Sequence, residues 1–394
     1  MSVHDAPAGV TETAAPSSAE HELQTLWRRV VGRRSFLKQA GIAGAAAMPA
    51  GALLTSAAAA KASGPTAGDV AILRFLAAAE ILETDLWQQY AELGGANGGN
   101  AAYIKALENL DGDMPQYISD NTDDELSHEL FINAYLLSKG AQPVNLERFR
   151  TLRGSEATGA DRRRRWLTNL KELDVDTSWY TRYRSGDNPD FGATFPQAVT
   201  IHNQPAIPLS DRDTPPNQDQ PVPPVNARQS RMQAIANSAG FHFAMIEQGG
   251  SSLYVTLAQQ VTNVEVLRIV LSIGGVEVNH FAVWHDKAGN AVAEPLAGVT
   301  DPETHTHFPN LNASGGEATQ TNLIFPEPCD FISKDLPQVS IIRPSSTANS
   351  GAMAAVRGLT ADGLFKGQSA EFFTVVSRLA READAAVRGV RGGS

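Results

Sequence analysis

Two short segments of the chain each place a glutamate three residues before a histidine: Glu125 with His128, and Glu277 with His280. On a helix, side chains at positions i and i+3 leave from nearly the same face. Each pair can therefore direct one carboxylate and one imidazole to a single point. Two such pairs, with one further glutamate from each of two other helices, make the ligand set of a dinuclear carboxylate site in a four-helix bundle.

Two glutamates in other apolar segments can supply the remaining carboxylates. Glu80 precedes the first pair and Glu247 precedes the second. Burying an isolated carboxylate is very costly, so either those helix faces are exposed or each glutamate has a cation as partner. An aromatic residue follows each glutamate seven positions later, Trp87 in one case and Tyr254 in the other. The two halves of the chain therefore carry the same chemistry.

Either Glu-x-x-His pair alone could arise by chance in a chain with this many glutamates and histidines. The alternative to a metal site is six polar side chains that are individually solvated or salt-bridged. That alternative must explain separately why polar residues lie on the apolar stripe of each of four helices. The metal site is therefore favoured.

The four segments resemble the motifs of the ferritin-like superfamily, in particular bacterial ferritin-like-domain proteins that follow twin-arginine signals. The family pattern runs approximately LExLExxFY, ExxH, ExxGxxAY and ExxH. Its counterparts here are AEILETDLW (79–87), ELSH (125–128), EQGGSSLY (247–254) and EVNH (277–280). Trp87 stands where the family usually has tyrosine, which removes one phenol from the surroundings of the site. The resemblance implies six metal ligands: Glu80, Glu125, His128, Glu247, Glu277 and His280.

The expected fold is all-α: a ferritin-like four-helix bundle with a long insertion in the crossover between the second and third helices and an extended C-terminal tail. Carboxylates with one imidazole per metal suit two iron or manganese ions, about 3.5–4 Å apart. The expected partners are dioxygen or peroxide. The expected activity is ferrous oxidation or peroxide and oxygen chemistry in oxidative-stress defence, including a manganese-catalase-like reaction. The alternative is a non-catalytic metal-binding or structural stress-tolerance protein of the cell envelope.

The pattern leaves more than one role open for some polar residues beside these motifs. Glu83 lies one turn from Glu80, and it is either a ligand, a carboxylate that shifts with redox state, or a salt-bridge partner of a neighbouring helix. Alignment with the family pattern favours Glu80 as the primary ligand. His242 and His285 lie off the ligand stripe, so they are expected at the surface or at helix caps. Asp124 is expected to face solvent or to lie beside the ligands.

The N-terminal segment resembles a twin-arginine signal peptide. GRRSFLK at 32–38 precedes an apolar run rich in alanine and glycine at 41–60, and small-residue cleavage sites follow. Pro49 and the small residues make that run a poor permanent membrane span, so cleaved export is expected, with a retained membrane anchor as the alternative. The expected location is periplasmic or extracellular. The twin-arginine machinery is then a partner, and residues 1–62 lie outside the predicted fold.

The composition limits the possible partners and ligands. The formal net charge is -11, which argues against non-specific nucleic-acid binding. The single cysteine, Cys329, excludes an intrachain disulfide and a cysteine metal cluster. Any bound metal must therefore be held by glutamate, aspartate and histidine.

Hydrophobic periodicity predicts the bundle between residues 63 and 288. Its helices are predicted at 68–93, 121–139, 227–262 and 263–287. Asp69 is expected to cap the first helix, and Asn121 or Thr122 the second.

Two further regions accompany the predicted bundle. Residues 141–228 are predicted to be an insertion on the bundle surface, with a small separate domain as the alternative. Within it, the segment 160–173 favours a helix. Residues 289–394 are predicted to be an irregular C-terminal extension that ends in a helix at 368–388.

Overall fold

The computed structural model describes residues 64–183, 197–213, 230–315, 326, 328–329, 332–340 and 350–389. The predicted signal peptide lies outside the described residues, as do parts of the predicted insertion and tail. Within the described residues the protein is mostly helical, and its strands form one two-stranded sheet. The predicted all-α class is therefore confirmed.

Four long helices form the bundle, and shorter elements cover it. The helices are α1 (Ala67–Gly94), α2 (Ala101–Leu110), α3 (Met114–Ser138), α4 (Ser178–Tyr183), α5 (Arg231–Ala258), α6 (Val264–Asn290), α7 (Asn312–Gly315), α8 (Ala352–Ala361) and α9 (Ala370–Asp384). The strands are β1 (Leu173–Val175) and β2 (Ile201–Gln204), which pair antiparallel. Helix α1 packs along α3, and α5 packs along α6. The bundle therefore consists of two helix pairs that face each other.

Helix α1 begins with a reciprocal cap. The backbone N–H of Asp69 donates to Thr66 Oγ1 at 3.1 Å, and the backbone N–H of Thr66 donates to Asp69 Oδ2 at 2.8 Å. The predicted cap at Asp69 is therefore wrong by three residues, because Thr66 is the N-cap. Asp69 also accepts from the N–H of Thr262 at 2.8 Å, which ties the start of α1 to the loop between α5 and α6.

Helix α3 begins earlier than predicted. It starts at Met114 with Pro115 in its first turn, a position where proline loses no intrahelical hydrogen bond. Asn121 and Thr122 are buried in the helix interior and cap nothing. The prediction of a cap at these two residues was wrong, and one of them has a different role, described below.

The crossover after α3 is attached to α1 through a buried carboxylate. Asp85 is fully buried and accepts from the N–H groups of Leu167 and Thr168, each at 2.9 Å, and forms an ion pair with Arg150. The helix predicted at 160–173 is absent from this described segment. In a helix, the N–H groups of Leu167 and Thr168 would donate to backbone carbonyls of that helix. Here they donate to Asp85 instead.

The C-terminal extension adds two helices to the bundle. Helix α9 packs on α1, and α8 packs on α9 and α5. Asp384 accepts from the N–H groups of Ala352 at 2.7 Å and Met353 at 2.8 Å, so the end of α9 holds the start of α8. The predicted final helix corresponds to α9, whereas α8 was not predicted.

Helix α6 alone among the described helices is long and apolar enough to cross a membrane. Core helices of soluble proteins have the same length and composition, so this property is weak evidence for a span. Glu277 and His280 both lie on the buried face of α6.

Candidate metal centre

The six sequence-predicted ligands lie together in the centre of the bundle. The four glutamates are fully buried, and the two histidines are almost fully buried. Their potential ligand atoms form two groups, and within each group the atoms lie within 4.8 Å of one another. One group is Glu80, Glu125, His128 and Glu277, and the other is Glu125, Glu247, Glu277 and His280. Glu125 and Glu277 belong to both groups, which is the arrangement that two bridging carboxylates require.

Each imidazole directs its Nδ1 atom into the carboxylates. His128 Nδ1 lies 3.1 Å from Glu125 Oε2 and 3.4 Å from Glu80 Oε2. His280 Nδ1 lies 3.0 Å from Glu125 Oε1 and 3.3 Å from Glu247 Oε2. Glu125 is therefore held between the two imidazoles, as expected if the two halves share one site.

Two glycines allow the helices to approach each other at the site. A Cβ atom on Gly250 of α5 would overlap Glu277 Oε2 and lie 3.3 Å from Glu277 Cδ. A Cβ atom on Gly274 of α6 would lie 2.7 Å from Tyr254 Cβ. Their neighbours Gly249 and Gly275 are different, since a Cβ on either would have no atom within 4 Å. One glycine of each pair therefore has a close neighbour that a Cβ atom would displace.

Asn121 contacts carboxylates in both halves of the site, and this role was not predicted from the sequence. Its Nδ2 donates to Glu125 Oε1 and to Glu247 Oε1, each at 3.0 Å. Its Oδ1 accepts from Trp284 Nε1 at 2.8 Å, which fixes the orientation of the amide. The sequence does place Asn121 one turn before Glu125, on the same helix face.

Tyr254 and Asp124 also contact the candidate ligands. The Tyr254 hydroxyl donates to Glu80 Oε1. His280 Nε2 lies 3.1 Å from Asp124 Oδ2, and the Asp124 side chain is 54% exposed. An aspartate that accepts the second N–H of a ligand histidine fixes its tautomer and ring orientation. Asp124 therefore faces solvent and contacts a candidate ligand at the same time.

Glu83 lies beside the cluster but belongs to neither group of ligand atoms. Burial, and then the neighbouring Glu80, Glu125 and Glu247, raise the pKa of Glu83 well above its ordinary value. The side chain is partly accessible, and it also lines a cavity beside α1.

The expectation that His242 and His285 lie at the surface or at caps was wrong. His242 is fully buried, and its Nδ1 lies 2.7 Å from the Tyr90 hydroxyl. Burial lowers the pKa of His242 to about 3, so the ring is neutral at pH 7. His285 is 1% exposed and lies against the rings of Trp179 and Tyr180. Almost every residue of α5 is buried, so a polar residue off the ligand stripe still enters the core.

The protein without metal keeps protons in this cluster. Burial and the charge of Glu247 raise the pKa of Glu125 to about 7, although hydrogen bonds from both imidazoles lower it. Burial, followed by the other carboxylates, raises the pKa of Glu277 well above its ordinary value. Burial lowers the pKa of His128, but the carboxylates of Glu125 and Glu80 beside its ring outweigh this effect and raise it to about 10.

The residues present fit bound metal ions. Glu80 Oε2 and both carboxylate oxygens of Glu277 are buried and make no hydrogen bond within the described part of the chain. Buried acceptors are rarely left in this state, because each one costs free energy. Four carboxylates would balance two divalent cations, and oxygen and imidazole donors suit iron or manganese. This buried cluster can therefore bind metal ions.

The metal-free protein should become less stable as the pH rises from 5 to 9. The pKa of Glu125 is raised from 4.5 to about 7 in the folded state, so its stabilising contribution is complete below 4.5 and is lost as the pH rises through 7. The pKa of His128 is raised from 6.5 to about 10, so its contribution is lost over that higher range. Thermal unfolding in the presence of a chelator should show a loss of about 2 kcal/mol between pH 5 and 8.

Metal-loaded protein provides the comparison for this measurement. Metal binding requires deprotonated ligands, so the stability added by metal should increase with pH over the same range. Metal-free protein whose stability rises from pH 5 to 8 would contradict the protonation states assigned to Glu125 and His128.

A comparison with protein families supports the fold. A family model described as a ferritin-like domain matches residues 68–290, which is more than half of the chain. The match begins in α1 and ends in α6, so it includes all six candidate ligands and excludes α8 and α9. Searches of curated proteins and of solved structures found no match.

Proposed function

Since this chain belongs to the ferritin-like domain family, we propose that it is an exported protein with a dinuclear iron or manganese centre that performs ferrous oxidation or other peroxide and oxygen chemistry. The observation that carries the proposal is the sharing of Glu125 and Glu277 between two groups that each contain one histidine. A cluster that served only as buried salt bridges would not require two carboxylates in common. Export is supported by the arginine pair and apolar run near the N-terminus.

The protein's own residues are arranged to hold two cations and to control protons beside them. When bound, a pair of such ions supplies Lewis acidity and, for iron or manganese, electrons for oxygen or peroxide chemistry. The surrounding helices exclude bulk water from the four buried glutamates. Asn121 fixes Glu125 and Glu247 relative to each other. The Tyr254 hydroxyl can donate a proton or hydrogen bond at Glu80.

Metal loading followed by kinetics tests this proposal. Protein refolded or expressed with iron or manganese should bind about two ions per chain, as its carboxylate count balances two divalent charges. Aerobic addition of Fe(II) should then give iron oxidation that is faster than in buffer. Stopped-flow absorbance measures the rate of this oxidation. The manganese form is tested separately for oxygen release from peroxide.

The outcomes of these assays separate the possible functions. Trace metal after exposure to either ion would contradict the proposal. Two bound ions with neither Fe(II) oxidation nor peroxide turnover would favour the non-catalytic metal-binding alternative. Elemental analysis of the same samples identifies which metal accompanies any activity.

A further inference from the structure

A cavity of about 160 Å³ lies beside α1 and α5 in the described part of the chain. Helix α1 contributes Phe75 and Leu82 to its walls, and α5 contributes Ile246 and Leu253. Helix α8, with Val356 among its lining residues, forms a further wall. Because α8 lies outside the family match at residues 68–290, this part of the cavity is specific to the C-terminal extension.

Three residues form the partition between this cavity and the candidate metal ligands. Tyr254 lines the cavity while its hydroxyl donates to Glu80. Gly250 lines the cavity, and a Cβ atom there would overlap Glu277 Oε2. Glu83 lines the cavity and lies on α1 one helical turn after Glu80. A molecule in the cavity would therefore lie one side chain away from the ligands Glu80 and Glu277.

The cavity walls favour an uncharged, apolar occupant. Most of the lining side chains are aliphatic or aromatic. Two of the polar lining residues already have partners elsewhere: Gln248 Nε2 donates to Ser252 Oγ at 3.0 Å, and Ser350 Oγ lies 3.1 Å from Thr256 Oγ1. Three carboxyl groups, those of Glu83, Asp176 and Asp362, are the acidic part of the lining. Burial and the neighbouring Asp176 raise the pKa of Asp362 to about 8, so this carboxyl is largely uncharged at pH 7.

Part of the cavity volume is present because a lining residue, Gly249, has no side chain. Gly249 lines the cavity from the middle of α5, and a Cβ atom there would have no atom within 4 Å. A glycine inside a helix costs about 1 kcal/mol relative to alanine. Gly249 is not needed for close helix packing, so its presence is consistent with room kept for a ligand.

We propose that this cavity binds a small, uncharged, largely apolar organic molecule and holds it beside the metal centre as a substrate. This inference rests on the proposed function, and it specifies the substrate class for the oxygen-dependent chemistry. An enclosed protein cavity of about 150 Å³ lined by aliphatic and aromatic side chains binds benzene, and the present cavity, which is partly open, has a similar volume. The expected ligand is therefore a compact molecule of about benzene size.

Benzene binding to the full chain tests the proposal, with a matched pair of glycine variants. Benzene should raise the melting temperature of the wild-type protein by roughly 2 °C or more. Gly249→Leu should fill the cavity and reduce benzene affinity, measured by calorimetric titration, at least about tenfold. Gly275→Leu is the control, because Gly275 is also a helical glycine with an open Cβ direction but does not line the cavity. It should bind benzene as the wild type does.

Several results would overturn the proposal. No benzene binding by the wild type, or equal binding by Gly249→Leu and Gly275→Leu, would show that the cavity is not a ligand site. If Gly249→Leu does not fold, Gly249→Ala and Gly275→Ala repeat the comparison, with an expected loss of about threefold for the first variant only.

Metal analysis of the same samples separates this proposal from the proposed function. Wild-type protein that binds metal but not benzene would overturn the cavity proposal and leave the metal centre intact. Protein that binds benzene in the cavity but no metal would overturn the substrate role together with the proposed function.

Discussion

Replacing His280 with alanine is expected to remove one of two bound metal ions and to weaken metal binding more than about tenfold. His280 is the one imidazole in the group with Glu125, Glu247 and Glu277. The other group keeps Glu80 and His128, so one ion should remain. His128→Ala should have the converse effect, and the double variant should bind neither ion. Elemental analysis after dialysis against excess metal measures these stoichiometries.

His202→Ala is the matched control for both variants. His202 contacts a carboxylate, Asp174, at 2.7 Å, but its side chain is 76% exposed. His242 would be a poor control, since it is fully buried against Tyr90 and its loss would disturb the core. Free imidazole should partly restore the second ion in His280→Ala, because the missing group is only a ligand. Unchanged metal content in His280→Ala and His128→Ala would show that the ligand assignment is wrong.

The candidate ligands could be predicted from sequence because their geometry is mostly local. The spacing of three residues between Glu125 and His128 determines their common helix face before any tertiary contact forms. Glu277 and His280 repeat the same local rule. Bringing the two pairs together required only that apolar stripes pack inward, which is the strongest tendency of an amphipathic helix.

Residues whose roles depend on long-range contacts could not be predicted in the same way. The polar run that begins at Asn121 resembles a helix cap, and nothing local shows that Glu247 and Trp284 will bond its amide. The segment 160–173 has good helix propensity, but Asp85, which lies far away in the sequence, takes the N–H groups of Leu167 and Thr168. Tertiary hydrogen bonds outweighed local propensity in both cases.

Helix α8 was missed for a related reason. It has ten residues, and isolated helices of that length are marginal in water. Its start is held by Asp384, which lies in α9. It therefore depends on packing that only the folded protein provides, and the cavity that it helps to enclose was equally invisible in the sequence.

Gly250→Ala is expected to weaken metal binding strongly while changing the stability of the metal-free protein little. The added Cβ would overlap Glu277 Oε2, which is the end of a side chain, so the carboxylate can move while both helix backbones stay in place. Glu277 belongs to both groups of ligand atoms, so its displacement should affect both ions. Metal affinity should fall at least about tenfold. Relief of a helical glycine adds about 1 kcal/mol of stability, which offsets much of the cost of overpacking.

Gly249→Ala is the adjacent control for this prediction, because a Cβ at Gly249 would have no atom within 4 Å. It should bind metal as the wild type does and gain up to about 1 kcal/mol in stability. Isothermal titration with Mn(II) and thermal unfolding of the metal-free form measure the two quantities separately. If Gly250→Ala retained full affinity, Glu277 would not be fixed by this contact. If both variants lost affinity equally, the cause would be a general change in α5 and not the position of one carboxylate.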